Sequence, residues 1–154
     1  MEVKQAKFAR ELKKFAKVGL DSSILIYHLE DVEPYSDLTE AAFAAIAGGS
    51  PGAVLSTISV TELLVQPFAE GQHDRVAALE RFVLTLPNTA LVPPSYPAAK
   101  EAARLRAKYG IRTPDAILVA TALGEKAEAF LTNDAHLRRL KAEGIAFVVL
   151  DDYI

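Results

Sequence analysis

Four acidic residues stand where a carboxylate can do more than solubilise a surface. Asp21 ends a short apolar run, Val18-Gly19-Leu20, and two serines then open a second apolar run that reads as a helix. Glu62 lies just past the β-branched run Ala53–Ile58, and Asp134 just past Ala129-Phe130-Leu131. Asp115 stands in the first turn of a helix introduced by Thr113-Pro114. A residue just beyond a strand of a parallel sheet sits at its carboxyl edge, where ligands bind in open α/β folds. The chain carries 20 Asp and Glu in all, so placement and not number singles these out.

Carboxylates gathered at one edge repel one another. Their segments bring no Lys or Arg, and the nearest charge to Asp115 is Arg112. Such a set stays ionised only if a cation is supplied. Mg²⁺ or Mn²⁺ suits it, because hard divalent ions take oxygen ligands and keep waters for substrate phosphates. The chemistry this allows is metal-assisted attack of water on a phosphodiester. Asp21 and Asp115 are expected as direct ligands, and Glu62 and Asp134 as ligands directly or through water.

The hydroxyls of Ser22 or Ser23, Ser59 and Thr132 can hold those carboxylates or a bound water by hydrogen bonds. Plainer roles compete: Ser22 and Thr132 are placed as helix caps, and capping is the expected sole role of Ser59. Asp115 and Asp134 also suit helix N-termini by charge alone. Asp21, between a strand and a buried helix, has no evident cap to make. No dedicated general base is evident, and His28, His73 and His136 read as structural.

The elements that must position these residues follow from hydrophobic period and breakers. Strands are expected at Val18–Asp21, Ala53–Ile58, Ala90–Val92, Ala129–Leu131 and Phe147–Leu150. Helices are expected between them: Ser22–Glu30, a helix from Leu38 to Ala47 capped by Ser36 or Asp37, and a short one from Ser59 to Val65 ended by Pro67. Gln72 to Leu84, Ser95 or Tyr96 to Lys108, Ala116–Leu123 capped by Thr113, and Asp134–Lys141 complete the set. Strands separated by helices imply a parallel sheet covered on both faces. Residues 1–17 read as an amphipathic basic helix with Phe8, Leu12 and Phe15 on one side. It either packs that stripe on the domain or serves as a phosphate-contacting arm.

At 154 residues the chain fits one domain, and its balance of apolar and charged residues is that of a soluble globular protein. Without cysteine, neither a disulfide frame nor a thiolate zinc site is available. No signal peptide or membrane span is evident, so a cytoplasmic location is expected. The net charge of −3 argues against a broad basic surface for nucleic acid, though not against an acidic site that a cation neutralises.

With those residues in hand, the chain resembles the PIN-domain nucleases, and most closely the VapC-type ribonuclease toxins. The matching stretches are Leu20-Asp21-Ser22-Ser23-Ile24-Leu25-Ile26-Tyr27 and Ile58-Ser59-Val60-Thr61-Glu62-Leu63-Leu64-Val65. Thr113-Pro114-Asp115-Ala116-Ile117-Leu118-Val119-Ala120-Thr121-Ala122 and Leu131-Thr132-Asn133-Asp134 follow in the family's order. The resemblance implies a three-layer α/β/α fold with a four- or five-stranded parallel sheet, with residues 1–17 as an N-terminal extension and residues 18–154 as the nuclease domain. It implies Mg²⁺ or Mn²⁺ held by Asp21, Glu62, Asp115 and Asp134, with Thr132 or a serine after Asp21 assisting. It also implies a homodimer, an RNA substrate and a small antitoxin partner. The alternatives are a non-toxin RNA-processing or DNA-directed nuclease, or a PIN-like binding module that no longer catalyses. A phosphatase with a phosphate-accepting aspartate fits poorly, since Ser23 stands where a second acid would be wanted.

Overall fold

The computed structural model describes residues 3–154. In chain order, α1 (Val3–Leu12) leads to β1 (Lys17–Leu20), α2 (Ser22–Leu29) and α3 (Ser36–Ala47). Next come β2 (Gly52–Ser56), α4 (Ile58–Ala69), α5 (His73–Leu84) and β3 (Thr89–Val92). α6 (Tyr96–Tyr109) and α7 (Thr113–Gly124) precede β4 (Ala129–Thr132). A 3₁₀ stretch (Ala135–Glu143), β5 (Ala146–Val149) and a 3₁₀ turn (Leu150–Tyr153) end the chain.

Parallel strands need long crossovers, and here helices supply them. The five strands are all parallel, in the order β3-β2-β1-β4-β5. The chain steps outward from β1 to β3, then returns to build β4 and β5 on the other side of β1. The order therefore reverses between β1 and β4, and the crevice beyond their carboxyl ends is where such sheets bind ligands.

Side chains alternate across each strand, so each face of the sheet has its own core. On one face Val18, Leu20, Leu55 and Leu131 pack with Phe8, Leu12, Ile24, Leu25, Leu38 and Ile46 from α1, α2 and α3. On the other, Phe130 packs with Leu105, Val119, Leu137 and Leu140 from α6, α7 and the 3₁₀ stretch. Helices, sheet and helices make the three layers expected, with five strands. Gly19 faces α7, and a Cβ there would lie 2.6 Å from the Ala122 Cβ and 2.9 Å from the Phe130 ring. Its lack of a side chain lets the helix above the site settle close on the sheet.

Some boundaries differ from the sequence reading. The basic N-terminal helix ends at Leu12, because the sheet claims the backbone that follows: Gly52 N–H donates to the Ala16 carbonyl (2.9 Å) and Glu128 N–H to that of Lys17 (2.9 Å). Met1 and Glu2 lie outside the described residues. Pro67 does not end α4, which runs on to Ala69. Ser59, Leu63 and Pro67 recur every four residues and are all buried, so one apolar face offsets the single hydrogen bond that Pro67 removes near the helix end. The segment after Asp134 is a 3₁₀ stretch and not an α-helix. Among the described residues no helix is long and apolar enough to cross a membrane.

Candidate active site

The Asp21 N–H continues the ladder by donating to the Leu131 carbonyl (2.9 Å), and α2 begins at the next residue. Asp21 occupies the N-cap position of α2, yet its carboxylate makes no capping bond. It turns instead toward β4, where the Thr132 hydroxyl donates to Oδ2 at 2.5 Å. Thr132 also accepts the Asp134 N–H (3.0 Å), so one buried hydroxyl ties the acid of β1 to the loop after β4.

Asp21 is 8% exposed. Burial is the main cause that pushes its carboxyl up to about 6. The Thr132 hydrogen bond opposes the rise, the negative charge of Asp115 adds to it, the Ser22 backbone N–H opposes it, and Glu62 adds again. Three acids from separate parts of the chain thus feel one another at this crevice.

Glu62 is delivered from within α4, the helix expected directly after β2, which starts at Ile58. The Ser22 hydroxyl donates to Glu62 Oε1 (2.7 Å) and shares a 2.7 Å hydrogen bond with the Ser59 hydroxyl. Neither serine caps a helix, contrary to the plain expectation. Both sit inside their helices, where α2 and α4 face each other. Ser23 lines the same cleft, and its buried Oγ has no hydrogen-bond partner.

Asp115 stands in the first turn of α7, 14% exposed at its side chain. Arg112, not Thr113, is the N-cap residue, because the helix already begins at Thr113. Arg112 also corrects the expectation that the acids bring no cation: its Nε donates to Asp115 Oδ2 at 3.2 Å. Spacing of three residues near a helix start puts the two side chains on one side. The Arg112 side chain is 77% exposed, and pairs of this kind contribute about 0–1 kcal/mol. Arg112 is held still higher than its ordinary range by Asp115 first, with the charges of Glu62 and Asp134 adding.

Asp134 has the capping role allowed for it, since its Oδ1 accepts the His136 N–H at 2.9 Å. Its carboxylate nevertheless lines the cleft with Asp21, Glu62 and Asp115. All four acids and the expected hydroxyls of Ser22, Ser23 and Thr132 therefore meet around one crevice. Among the described residues no three Asp, Glu or His groups stand close enough together to hold a metal ion as they are. The donor chemistry still fits a hard divalent cation. Oxygen acids dominate the cleft, the most buried is driven toward protonation by burial first and then by the charges of Asp115 and Glu62, and the wall offers an unpartnered hydroxyl. Arg112, Tyr27 and Asn133 also line the cleft and were not read as site residues. The signal for Arg112 was its spacing from Asp115.

His28 lies outside the cleft, its ring centroid 4.6 Å from that of Phe43, and burial lowers its pKa. That agrees with a structural role.

No curated protein matches the sequence. Solved structures do share the fold. VapBC2 from Rickettsia felis bound to a DNA fragment from their promoter superposes with a TM-score of 0.69 at 15% identity, covering 86% of this chain and 98% of that one. A toxin–antitoxin complex from Klebsiella pneumoniae gives 0.60 at 24% identity, over 87% and 97% of the two chains. DNA-bound VapBC from Salmonella typhimurium gives 0.64 at 18%, over 87% and 98%. The sequence itself matches the PIN domain over residues 18–143, a span that opens on β1 and takes in all four acids. The chain belongs to the PIN domain family, whose members are nucleases.

Proposed function

We propose that this protein is a divalent-metal-dependent endoribonuclease that hydrolyses RNA phosphodiester bonds, the toxin of a toxin–antitoxin pair. The observation that carries the reading is the buried Asp21, pushed up to about 6 with Asp115 and Glu62 charges beside it, at the reversal in strand order. The substrate, the antitoxin partner and the homodimer rest on the family resemblance and on the toxin–antitoxin complexes that share the fold. The site assignment, Asp21, Glu62, Asp115 and Asp134 supported by Ser22, Ser23 and Thr132, belongs to the same reading. So does the division into an extension of residues 1–17 and a nuclease domain of residues 18–154.

Asp21, Asp115, Glu62 and Asp134 would hold Mg²⁺ or Mn²⁺. When bound, such an ion supplies polarisation of a water and of the phosphodiester oxygens. The chain supplies placement. Thr132 fixes the rotation of the Asp21 carboxylate through Oδ2. Ser22 does the same for Glu62 through Oε1. Arg112, exposed at the rim, is free to leave Asp115 and meet the negative phosphate. Water adds to phosphorus as the opposite P–O bond breaks; the attacking water gives up a proton to solvent, and the departing oxygen takes one from solvent.

The experiment is cleavage of single-stranded RNA by the purified protein. Activity is expected with Mn²⁺ or Mg²⁺, to stop on adding EDTA, and to be absent in Asp21→Asn and Asp115→Asn. Full activity in either variant would reject the site. The Arg112 pair is the one observation that favours a catalytically silent binding module. RNA bound but uncut under every metal condition would select that reading.

A further inference from the structure

We propose that Tyr27 is a stacking platform for a nucleobase flanking the scissile phosphate; this rests on the nuclease reading above. Tyr27 lies on α2, six residues beyond Asp21, and lines the same cleft as the acids. Long side chains on a helix lean back toward its N-terminus, which here is the end that carries Asp21. The ring is partly exposed. One face is covered by Tyr35, with ring centroids 4.7 Å apart and planes 15° from parallel.

Tyr35 is itself anchored. Its hydroxyl donates to Asp151 Oδ1 (2.7 Å), which raises the phenol pKa. The Asp151 N–H donates to Asn133 Oδ1 (2.9 Å), and Asn133 stands beside Asp134 in the cleft wall. The two rings also pack against the core, and the tie through Asp151 and Asn133 joins that pair to the rim of the acid cleft. A ring backed by a second, pinned ring loses little freedom when a base lands on it. Base stacking on aromatic side chains tolerates any base, and it requires a base that is not already stacked in a duplex.

The test is equilibrium binding of a fluorescein-labelled short single-stranded RNA to the full chain, followed by anisotropy with Ca²⁺ in place of Mg²⁺. Tyr27→Leu is expected to weaken binding at least about fivefold, whereas Tyr27→Phe stays within about twofold. In the unaltered protein, one abasic position next to the cleavage point should weaken binding by a similar factor, and Tyr27→Leu should erase that sensitivity. The same strand in a duplex should bind more weakly than alone. Equal affinity of Tyr27→Leu and the unaltered protein overturns the proposal. So does indifference to every abasic position, or duplex bound as tightly as single strand. The abasic series needs no variant to fold. A strand that binds in this way but is never cut with Mg²⁺ or Mn²⁺ refutes the nuclease reading and leaves the platform standing.

Discussion

Because burial raises the Asp21 carboxyl from 3.8 to about 6, the folded protein binds that proton more tightly than the unfolded chain does. Between those values the native state holds more protons, so stability falls as pH rises through the window, and the loss is complete above about 6. At about 1.4 kcal/mol per unit, the ionised acid costs up to about 3 kcal/mol near neutral pH. Asp21→Asn keeps the shape and removes the charge. Urea unfolding with EDTA present should show the variant more stable than its parent at neutral pH, with the gap closing in acid. Added Mn²⁺ should stabilise only the parent, a trade of stability for function of the kind active sites commonly show. Arg112→Gln removes the cation that competes for Asp115. Calorimetric titration with Mn²⁺ should show tighter binding, by up to about fivefold, since an exposed pair is worth at most about 1 kcal/mol. Asp21 was legible from sequence because nothing else explained an acid between a strand and a buried helix. Ser22 holds a carboxylate, one of the two roles read for it, whereas Ser59 was misread as a cap alone. Their mutual bond joins residues 37 positions apart, and no local pattern marks such a pair.

At the scale of elements, α7 reaches the sheet where Gly19 leaves room for Ala122. Gly19→Ala places a methyl group against Ala122 and Phe130, both buried and unable to swing clear. Overpacking of this kind typically destabilises by about 1–3 kcal/mol. Urea unfolding should show that loss, and cleavage should fall with it, because α7 carries Asp115. The parallel sheet and its helices were legible because apolar runs alternated with amphipathic stretches. The exceptions have physical causes. Proline was read as a stop at residue 67, but a proline near a helix end removes one bond only, and buried Ser59, Leu63 and Pro67 hold that face. The N-terminal helix looked longer than it is because its basic periodicity continued through Lys13, Lys14 and Lys17. Sequence period does not reveal that Ala16 and Lys17 already bond to the sheet.

Across the molecule, Glu143 knits the 3₁₀ stretch to α6. It accepts from the Tyr109 hydroxyl (2.6 Å), from Arg104, and from Lys108 (3.0 Å), with its own side chain 9% exposed. The Tyr109 hydrogen bond first, then Arg104 and Lys108, hold its carboxyl down to about 2. A lowered folded pKa contributes stability that is present above the ordinary value of 4.5 and disappears as pH falls toward about 2. Melting curves across that range should show Glu143→Gln less stable at neutral pH and flatter in acid than its parent. The strand order has a consequence for synthesis. β1 emerges early but stands in the middle of the finished sheet, and its second neighbour, β4, arrives only at Ala129–Thr132. A nascent chain can pair β1 with β2 and β3 while one flank of β1 lies bare, with Thr132 and Asp134 not yet made. Until β4 is made, Asp21 lacks the hydroxyl of Thr132 and the cleft lacks Asp134, so the last neighbour of β1 to arrive completes the wall of acids.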